Sequence, residues 1–323
     1  ITFQANSSDD QVVVCGMMAD TEKLNATHLT FKNITFKQAA GQTAVLSLKK
    51  NDKVRDEVKF DNCTFEAVNE GFIALAGDSI QVKTITLNNC LFDGVDVATL
   101  INVEGAAIHC NTVNVKENRF YDAKINTLLS WQTVATKEID DDDEDNDQIL
   151  SVNISNNTFR NKERSESISL IDMPEAQQFD SAAVVVNNNL FYNAGSAMMH
   201  LYTAPDSVYY TSIVDATDGS DSTVITAVHF GALLNVDKNF VEEGEFVPGE
   251  YNWNTPAYEV VTKESLGIDK VFDDEALTQI SKLSPMFTGG VESGLNRAYL
   301  GAAANYVSRK AGDETVFTVK NAP

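Results

Sequence analysis

The chain has 323 residues, of which 43% are apolar, so it is long enough to bury a continuous core. With 24 basic against 47 acidic residues its formal charge is −23, and a surface field of that sign repels nucleic-acid phosphates and anionic lipid headgroups. No apolar run approaches the roughly 20 residues that a membrane-spanning helix needs. These properties argue against nucleic acid as a partner and against direct membrane insertion.

The chain opens on residues 1–5, Ile-Thr-Phe-Gln-Ala, which alternate apolar and polar side chains as a β-strand does. It begins with neither an initiator Met nor a signal-peptide pattern. We therefore expect the natural chain to extend upstream of Ile1 or to have lost a leader. We also expect the protein to be secreted or displayed at the cell surface.

One short pattern recurs along the chain: an apolar residue, any residue, Asn, Asn or Cys, any residue and Phe. Its clear copies end at Phe36, Phe65, Phe92, Phe120, Phe159 and Phe191, and a weaker copy ends at Phe240. The interval between clear copies ranges from 27 residues (Phe65 to Phe92) to 39 residues (Phe120 to Phe159). A period of this size is typical of solenoid proteins, in which one repeat makes one turn.

Between the copies lie short runs of β-branched and aliphatic residues, such as Thr99–Val103 and Ala182–Val186, which have the length of strands rather than of helices. Strands this short, separated by Asn, Gly and Asp turns, cannot form a sheet within one repeat. They can pair with the equivalent strands of the next repeat, about 4.8 Å away. The sequence therefore predicts an all-β fold, a right-handed parallel β-helix over residues 1–240.

In such a fold the repeated Phe residues stack along the axis, and the Asn residues before them form a ladder of side-chain amides at a turn. These amides satisfy backbone groups that the turn leaves unpaired, so no catalytic role is needed to explain them. The predicted ladder and stack consist of Asn33, Asn62, Asn89, Asn118, Asn157 and Asn189 with Phe36, Phe65, Phe92, Phe120, Phe159 and Phe191.

The four cysteines, Cys15, Cys63, Cys90 and Cys110, are too few for a disulfide scaffold and lack the paired spacing of a zinc site. Cys63 and Cys90 fall in the same position of adjacent repeats. Neighbouring parallel strands rarely offer the torsions that a disulfide needs, so we expect two reduced thiols there.

The runs Asn156-Asn157-Thr158-Phe159 and Asn188-Asn189-Leu190-Phe191 resemble coils of the pectate-lyase-like β-helix superfamily, over roughly residues 28–240. The resemblance implies the fold alone, because that superfamily includes lyases, hydrolases, esterases, phage tailspikes and adhesins. The chain has no run resembling the Trp-Ile-Asp-His motif of pectate lyases, nor the motifs of polygalacturonases or pectin esterases. In style it is similar to the chondroitinase-B-like β-helical surface proteins that Bacteroidetes place beside glycan-degrading enzymes.

Two acidic segments interrupt the repeats. Residues 138–147 are so rich in carboxylates that they must leave the coil as a loop. Plain solvation explains both segments, and the alternative is that they hold Ca²⁺, since carboxylate oxygens are its ligands. No other cofactor is expected. The candidate metal ligands are Asp141, Asp143, Asp145 and Asp147 in the first segment and Asp215, Asp218 and Asp221 in the second.

The repeat fades after Phe240, and we expect residues 241–323 to form an irregular, partly helical cap or wrap on the β-helix rather than an independent domain. Within this part, Asp273–Leu283 has helical spacing and an acidic first turn, which predicts a helix. The strands after each Phe carry apolar residues of both parities, such as Leu100 and Ile101. Alternate residues of a strand point to opposite faces of the sheet, so one set faces the core and the other forms an outer apolar face. We expect the C-terminal segment, a partner or a ligand to cover that outer face.

Two sets of residues are candidate sites. Arg160, Lys162 and Arg164 cluster near aligned turns and could serve a polysaccharide lyase. Such an enzyme needs a cation or Arg to neutralise the uronate carboxylate and a Lys or Arg base to remove the proton alpha to it. Charged surface turns are the alternative explanation. The ring-bearing residues Trp131, His200 and Tyr202 lie on strands after the repeated Phe and could contact sugar rings, or could pack beneath the C-terminal wrap.

Three functions remain open at this point. The first is a non-catalytic extracellular or cell-surface β-helix that binds glycan or a protein partner along its long face. The second is a lyase acting on a uronate-containing polysaccharide, of the chondroitinase-B or alginate-lyase kind. The third is a structural fibre or adhesin module that self-associates through its helix ends or an apolar face.

Overall fold

The computed structural model describes most of the repeats and much of the C-terminal part, and every structural statement below concerns these residues. They are 1–5, 12–15, 27–37, 46–48, 55–66, 68, 72–76, 82–104, 112–131, 149–164, 168–173, 181–195, 197–201, 208–214, 221–227, 232–242, 246–248, 260–292 and 298–308.

Nearly all regular structure consists of short strands. In chain order they are β1 Thr2–Gln4, β2 Val12–Cys15, β3 His28–Lys32, β4 Ile34–Lys37, β5 Leu46–Leu48, β6 Arg55–Asp61, β7 Thr64–Glu66, β8 Ile73–Ala76, β9 Val82–Asn88, β10 Leu91–Asp93, β11 Asp96–Glu104, β12 Thr112–Lys116, β13 Arg119–Tyr121, β14 Lys124–Trp131, β15 Ile149–Ser155, β16 Thr158–Arg160, β17 Ile168–Met173, β18 Ser181–Asn187, β19 Leu190–Tyr192, β20 Ala197–Leu201, β21 Val208–Val214, β22 Asp221–Ala227, β23 Ala232–Asp237, β24 Asn239–Val241, β25 Phe246–Pro248, β26 Val260–Val261, β27 Ile280–Ser281 and β28 Tyr306–Val307. A single α-helical turn, α1, spans Lys263–Leu266, and two 3₁₀ turns span Pro285–Phe287 and Ala303–Asn305.

Three long parallel sheets contain most of these strands, and each coil from β3 to β25 gives one strand to each sheet. The first sheet has the order β1-β3-β6-β9-β12-β15-β18-β23, the second β2-β4-β7-β10-β13-β16-β19-β24-β26 and the third β25-β20-β17-β14-β11-β8-β5. The antiparallel hairpin β21–β22 and the parallel pair β27–β28 stand apart from them. This arrangement confirms the predicted all-β parallel β-helix.

Alternation of apolar and polar side chains explains why the first sheet faces the core. In β12, Val113 and Val115 are fully buried, while the residues between and beside them are partly exposed. Val113 is in register with Ile85 and Val152 of the neighbouring coils, so the apolar side chains stack into rows. Among the described residues, no helix is long and apolar enough to cross a membrane.

The repeated Phe residues form the predicted stack. Phe92, Phe120 and Phe159 lie ring upon ring, with centroids 4.6 and 4.5 Å apart and planes within 12° of parallel. The weaker copy predicted to end at Phe240 is displaced by one residue. Val241 is in register with Phe191 and takes its place in the core, whereas Phe240 pairs with Leu190 and belongs to a second apolar cluster outside the coil.

The predicted Asn ladder is two ladders, at adjacent positions of the repeat. One, the outer ladder, comprises residues with positive φ: Asn33, Asn62, Asn89, Glu117, Asn156, Asn188 and Lys238. Asn tolerates this left-handed conformation better than most residues, which explains why it recurs there. In the first coils, Asn62 Nδ2 donates to Asn33 Oδ1 at 2.9 Å, and Asn89 Nδ2 to Asn62 Oδ1 at 3.1 Å.

The other, the inner ladder, comprises Cys63, Cys90, Asn118, Asn157, Asn189 and Asn239, all buried. Asn157 shows its pattern: Oδ1 accepts the backbone N–H of Asn118 at 2.9 Å, and Nδ2 donates to the carbonyl of Val115 at 2.7 Å. Nδ2 also donates to Oδ1 of Asn189 in the next coil at 3.0 Å. The donation to a carbonyl of the preceding coil recurs from Asn118 to Leu87, from Asn189 to Ile154 and from Asn239 to Val186.

The two cysteines of the inner ladder are free, buried thiols, as expected. Each donates to the carbonyl that an amide would use: Cys63 Sγ to Phe31 at 3.4 Å and Cys90 Sγ to Phe60 at 3.6 Å. A hydrogen bond with Cys90 lowers the pKa of Cys63, whereas burial raises the pKa of Cys90 well above its ordinary value. The thiols therefore replace the amide donors with weaker ones.

The adjacent apolar residues on strands of the third sheet do not form an exposed face. Leu100 and Ile101 are both fully buried in the main core cluster, and so are Leu128 and Leu129. The expectation that one parity would need an external cover is wrong at these positions, because both neighbours contact the same core.

The C-terminal segment of residues 260–292 and 298–308, called the strap below, packs on the outer side of the second sheet instead. Its Val261, Ile268 and Phe272 form one apolar cluster with Leu190 and Phe240 of the sheet. Polar side chains of the outer ladder fasten it. Asn156 Nδ2 donates to the Tyr299 carbonyl at 2.6 Å, Asn188 Nδ2 to the Val291 carbonyl at 2.6 Å, and Glu117 accepts from Tyr299 Oη and from the Ala303 N–H.

The helix predicted over Asp273–Leu283 is wrong. The Asp274 carboxylate accepts from the N–H groups of Thr278 and Gln279, both at 2.8 Å, and Leu277 has a φ of +56°. A side chain that binds nearby backbone in this way competes with helical hydrogen bonding. Partial burial raises the pKa of Asp274, but these hydrogen bonds outweigh it and hold the pKa below its ordinary value.

Asn157→Ala should lower the free energy of unfolding by about 2–4 kcal/mol, because it leaves several buried backbone groups without a partner. Asn62→Gly is the control, since Asn62 is exposed and Gly tolerates its left-handed backbone, so the loss should be less than about 1 kcal/mol. Urea denaturation followed by circular dichroism measures both. Equal losses for the two variants would contradict the distinction between the ladders.

Gly301→Ala should loosen the strap, because a Cβ there would lie 2.6 Å from Thr158 Oγ1 and φ is +81°. Gly94→Ala is the control: φ is +60°, but no atom lies within 4 Å of the added Cβ. We expect a destabilisation of about 1 kcal/mol for Gly94→Ala, from backbone strain alone, and about 3 kcal/mol for Gly301→Ala. Limited proteolysis should cut the strap of Gly301→Ala faster, and equal cutting of both variants would refute the role of Gly301.

Candidate functional site

A cleft of about 580 Å³ opens at the turns that connect the second sheet to the third. It runs across consecutive coils, from the start of β11 to the end of β19. Its lining residues are Asp96, Phe120, Asp122, Ala123, Lys124, Ile125, Asn126, Phe159, Asn161, Lys162, Glu163, Arg164, Ile168 and Ala194.

Unequal turn lengths create the cleft. The link from β13 to β14 consists of residues 122–123, whereas the link from β16 to β17 consists of residues 161–167, of which the structure describes 161–164. The longer link stands beside the shorter one and forms a wall. Asn193, at the corresponding turn of the next coil, supports the wall by donating from Nδ2 to the Asn161 carbonyl at 3.1 Å.

The Asp122 carboxylate clamps this wall from the opposite side. Its Oδ1 accepts the backbone N–H of Lys162 at 2.8 Å, and its Oδ2 accepts from Arg160 Nη1 at 2.8 Å. Asp122 has a φ of +49°, a conformation that Asp adopts more readily than most residues. One carboxylate at a tight turn therefore fixes both the wall and the Arg160 side chain.

Arg160 does not line the cleft and lies on the outer face of the second sheet, on the opposite side of its strand from the core residue Phe159. Its side chain is 4% exposed, and its guanidinium sits 4.1 Å from the centroid of the Tyr121 ring. Burial raises the pKa of Tyr121, which keeps the phenol neutral. Among the described residues, Arg160 Nε has no hydrogen-bond partner. Held between Asp122 and Tyr121, Arg160 orders the second sheet and is not free to meet a substrate.

The rim of the cleft is charged, with both signs interleaved. Lys124 Nζ lies 3.7 Å from Asp96 Oδ2, and Lys162 Nζ lies 3.7 Å from Asp122 Oδ2. Both lysines are mostly exposed, at 76% and 68%, so these pairs are loose and open to a ligand. Glu163 and Arg164 are exposed.

The floor of the cleft is apolar. Phe120, Phe159, Ile125, Ile168 and Ala194 line it while remaining almost wholly buried, so only their outer edges face the opening. An apolar floor with a polar rim, in a concave site of this volume, is typical of small-ligand sites. The described part of the chain contains no group of three or more His, Cys, Asp or Glu side chains that could hold a metal ion.

The structure brings together two of the three basic residues predicted for a lyase, since Lys162 and Arg164 both line the cleft. The other candidates are not brought to it by any described contact. Trp131 ends β14, and His200 on β20 shares a row with Asp172 and Ser130. The structure describes the backbone alone at Trp131, His200 and Asp221. Tyr202 and the acidic residues Asp141, Asp143, Asp145, Asp147, Asp215 and Asp218 lie outside the described residues, so the Ca²⁺ hypothesis stays a prediction.

Sequence reasoning did not single out Asp96, Asp122 or Lys124. A signal for the cleft exists in the repeat spacing: the interval from Phe159 to Phe191 exceeds that from Phe92 to Phe120, and the extra residues follow Phe159 directly. The spacing locates the longer turn, but it does not reveal which carboxylate clamps it.

This chain matches no protein-family model, no curated protein and no solved structure. The likeness of its Asn-Asn-Thr-Phe coils to the pectate-lyase-like superfamily stays a resemblance. The function must therefore be argued from the cleft itself.

Asp122→Asn should lower the free energy of unfolding by about 2–3 kcal/mol, because the buried Arg160 loses its counterion. Asp96→Asn is the control: it removes a carboxylate of the same cleft that is 63% exposed, and should change stability by less than about 0.5 kcal/mol. Chemical denaturation measures both variants. A loss of stability in Asp96→Asn as large as in Asp122→Asn would contradict the clamp.

Proposed function

We propose that this protein is an extracellular or cell-surface β-helix that binds a glycan, without cleaving it, in the cleft between the second and third sheets. The observation that supports this most is the combination of an apolar floor with a mixed-charge rim on a rigid scaffold. Sugar rings present an apolar face of C–H groups and an edge of hydroxyls, and such a site can contact both at once.

The rim side chains supply both kinds of hydrogen-bonding partner that hydroxyls need. Asp96 and Glu163 accept, Lys124 and Arg164 donate, and the exposed amide of Asn126 does both. Because the cleft spans several coils, it suits an extended chain rather than a single sugar. Hydrogen bonds from Lys162 N–H to Asp122 and from Asn193 to the Asn161 carbonyl hold the start of the longer turn, which reduces the entropy cost of binding there.

The architecture of the cleft favours binding over catalysis. A lyase would need a base and a neutralising group aimed at one uronate. Lys162 and Arg164 line the cleft, which keeps the lyase as a second candidate. However, Lys162 Nζ lies 3.7 Å from the Asp122 carboxylate, and the Arg160 side chain is buried and paired with the same carboxylate. We therefore place glycan binding first.

A glycan array followed by calorimetry tests the proposal. The double variant Lys162→Ala with Arg164→Ala should weaken binding about tenfold, because it removes donors from the rim. Lys83→Ala is the matched control, because Lys83 lies on the first sheet and does not line the cleft. It makes a similarly exposed ion pair, with Nζ 3.4 Å from Asp56 Oδ1. The glycan affinity of the Lys83→Ala variant should equal that of the unmodified protein.

The same glycans are then assayed for the ultraviolet absorbance of unsaturated uronates. Absorbance that rises with time and disappears in the Lys162→Ala, Arg164→Ala variant would make the protein a lyase. Glycan binding that the rim variant leaves intact would move the binding site elsewhere on the β-helix.

A further inference from the structure

The charges around the cleft balance, although the chain as a whole is strongly acidic. The lining residues include three carboxylates, Asp96, Asp122 and Glu163, and three cations, Lys124, Lys162 and Arg164. The formal charge of the whole chain is −23. An anionic ligand thus approaches through a repulsive field and meets lining side chains whose formal charges cancel, with one further cation, the buried Arg160, paired to Asp122.

The lysines of the rim are already engaged. Lys124 lies beside Asp96 and Lys162 beside Asp122, each at 3.7 Å. A ligand carboxylate at either lysine would face a protein carboxylate as well, and like charges at such short range cost free energy. The remaining cation, Arg164, stands next to Glu163 in the sequence. An acidic sugar at either lysine therefore meets a carboxylate within 4 Å.

A neutral hydroxyl fits the same pairs without this penalty. An ammonium 3.7 Å from a carboxylate is too far away for a short hydrogen bond. A hydroxyl placed between the two can accept from the ammonium and donate to the carboxylate, which satisfies both. Two such pairs flank an apolar floor on which the C–H face of a sugar ring can rest.

We infer that the ligand of the cleft is an uncharged glycan chain, selected by hydroxyls that bridge the Lys124–Asp96 and Lys162–Asp122 pairs. This inference rests on the proposed function, since it names the class of glycan that the same cleft takes. It also separates this protein from a uronate-binding site, in which unpaired cations would be needed.

Isothermal titration of the full chain with two sets of oligosaccharides tests the inference. The neutral set contains gluco-, manno-, galacto- and xylo-oligosaccharides and fully methyl-esterified oligogalacturonate. The acidic set contains alginate oligomers and the free acid of the same oligogalacturonate. Each is titrated at low and high NaCl, because salt screens charge pairs and leaves neutral contacts almost unchanged.

We expect at least one neutral oligosaccharide to bind, with a dissociation constant that changes less than about twofold with salt. Acidic oligomers should bind at least about tenfold more weakly. An acidic oligomer that binds tighter than every neutral one, and loses affinity as salt rises, would overturn the inference while leaving glycan binding in place. Absence of binding by both sets would overturn the proposed function itself.

Asp96→Asn provides a second test, because it keeps the shape of the side chain and removes one carboxylate from the rim. Lys124 then becomes unpaired, so binding of the acidic oligomers should strengthen about threefold or more and become salt-dependent. Binding of the neutral ligand should weaken, since a charged carboxylate acceptor for its hydroxyl is replaced by a weaker amide oxygen. Unchanged preference between the two sets would contradict a role for the Lys124–Asp96 pair in selection.

Discussion

The inner ladder is the interaction on which the rest of the structure depends. In four consecutive coils one buried amide, that of Asn118, Asn157, Asn189 or Asn239, accepts a backbone N–H and donates to a carbonyl of the preceding coil. In the two coils before them the thiols of Cys63 and Cys90 make the donation to the carbonyl. Without this ladder, the backbone groups at this bend would be buried and unpaired, which a solenoid cannot tolerate at every turn. The ladder lets one bend recur with the same geometry, and the Phe stack and the three sheets follow its spacing.

Variation is confined to the positions that the ladder leaves free. The outer ladder has two roles along its length. In the first coils Asn33, Asn62 and Asn89 bond to one another, and in later coils Asn156 and Asn188 bond to the strap. The turns between the second and third sheets differ in length, and the link of residues 161–167, longer than the link of residues 122–123 in the preceding coil, forms the wall of the cleft. A regular core thus supports an irregular surface, which is the usual division between scaffold and site.

The fold could be predicted from the sequence to a large extent, because its signal is periodic. The spacing of Phe and Asn reports a side-chain requirement that repeats in every coil, such as the left-handed backbone at Asn62 or the buried amide at Asn157. Two of the errors occurred where the period ends. Phe240 has the expected residue type in a position displaced by one, and Asp273–Leu283 has helical spacing that local hydrogen bonds to Asp274 override.

The sequence by itself determined the solenoid architecture, the stack of Phe rings and the structural role of the repeated Asn residues. Each of these follows from a local pattern that is repeated many times. Only the tertiary structure decided which charged residues meet. Asp96, Asp122 and the pair Lys162 and Arg164 come from three different coils. Arg160, close to that pair in sequence, is turned to the outer face of the second sheet by alternation along its strand. Contacts between coils depend on turn length and side-chain direction together, so no single segment of the sequence contains the cleft.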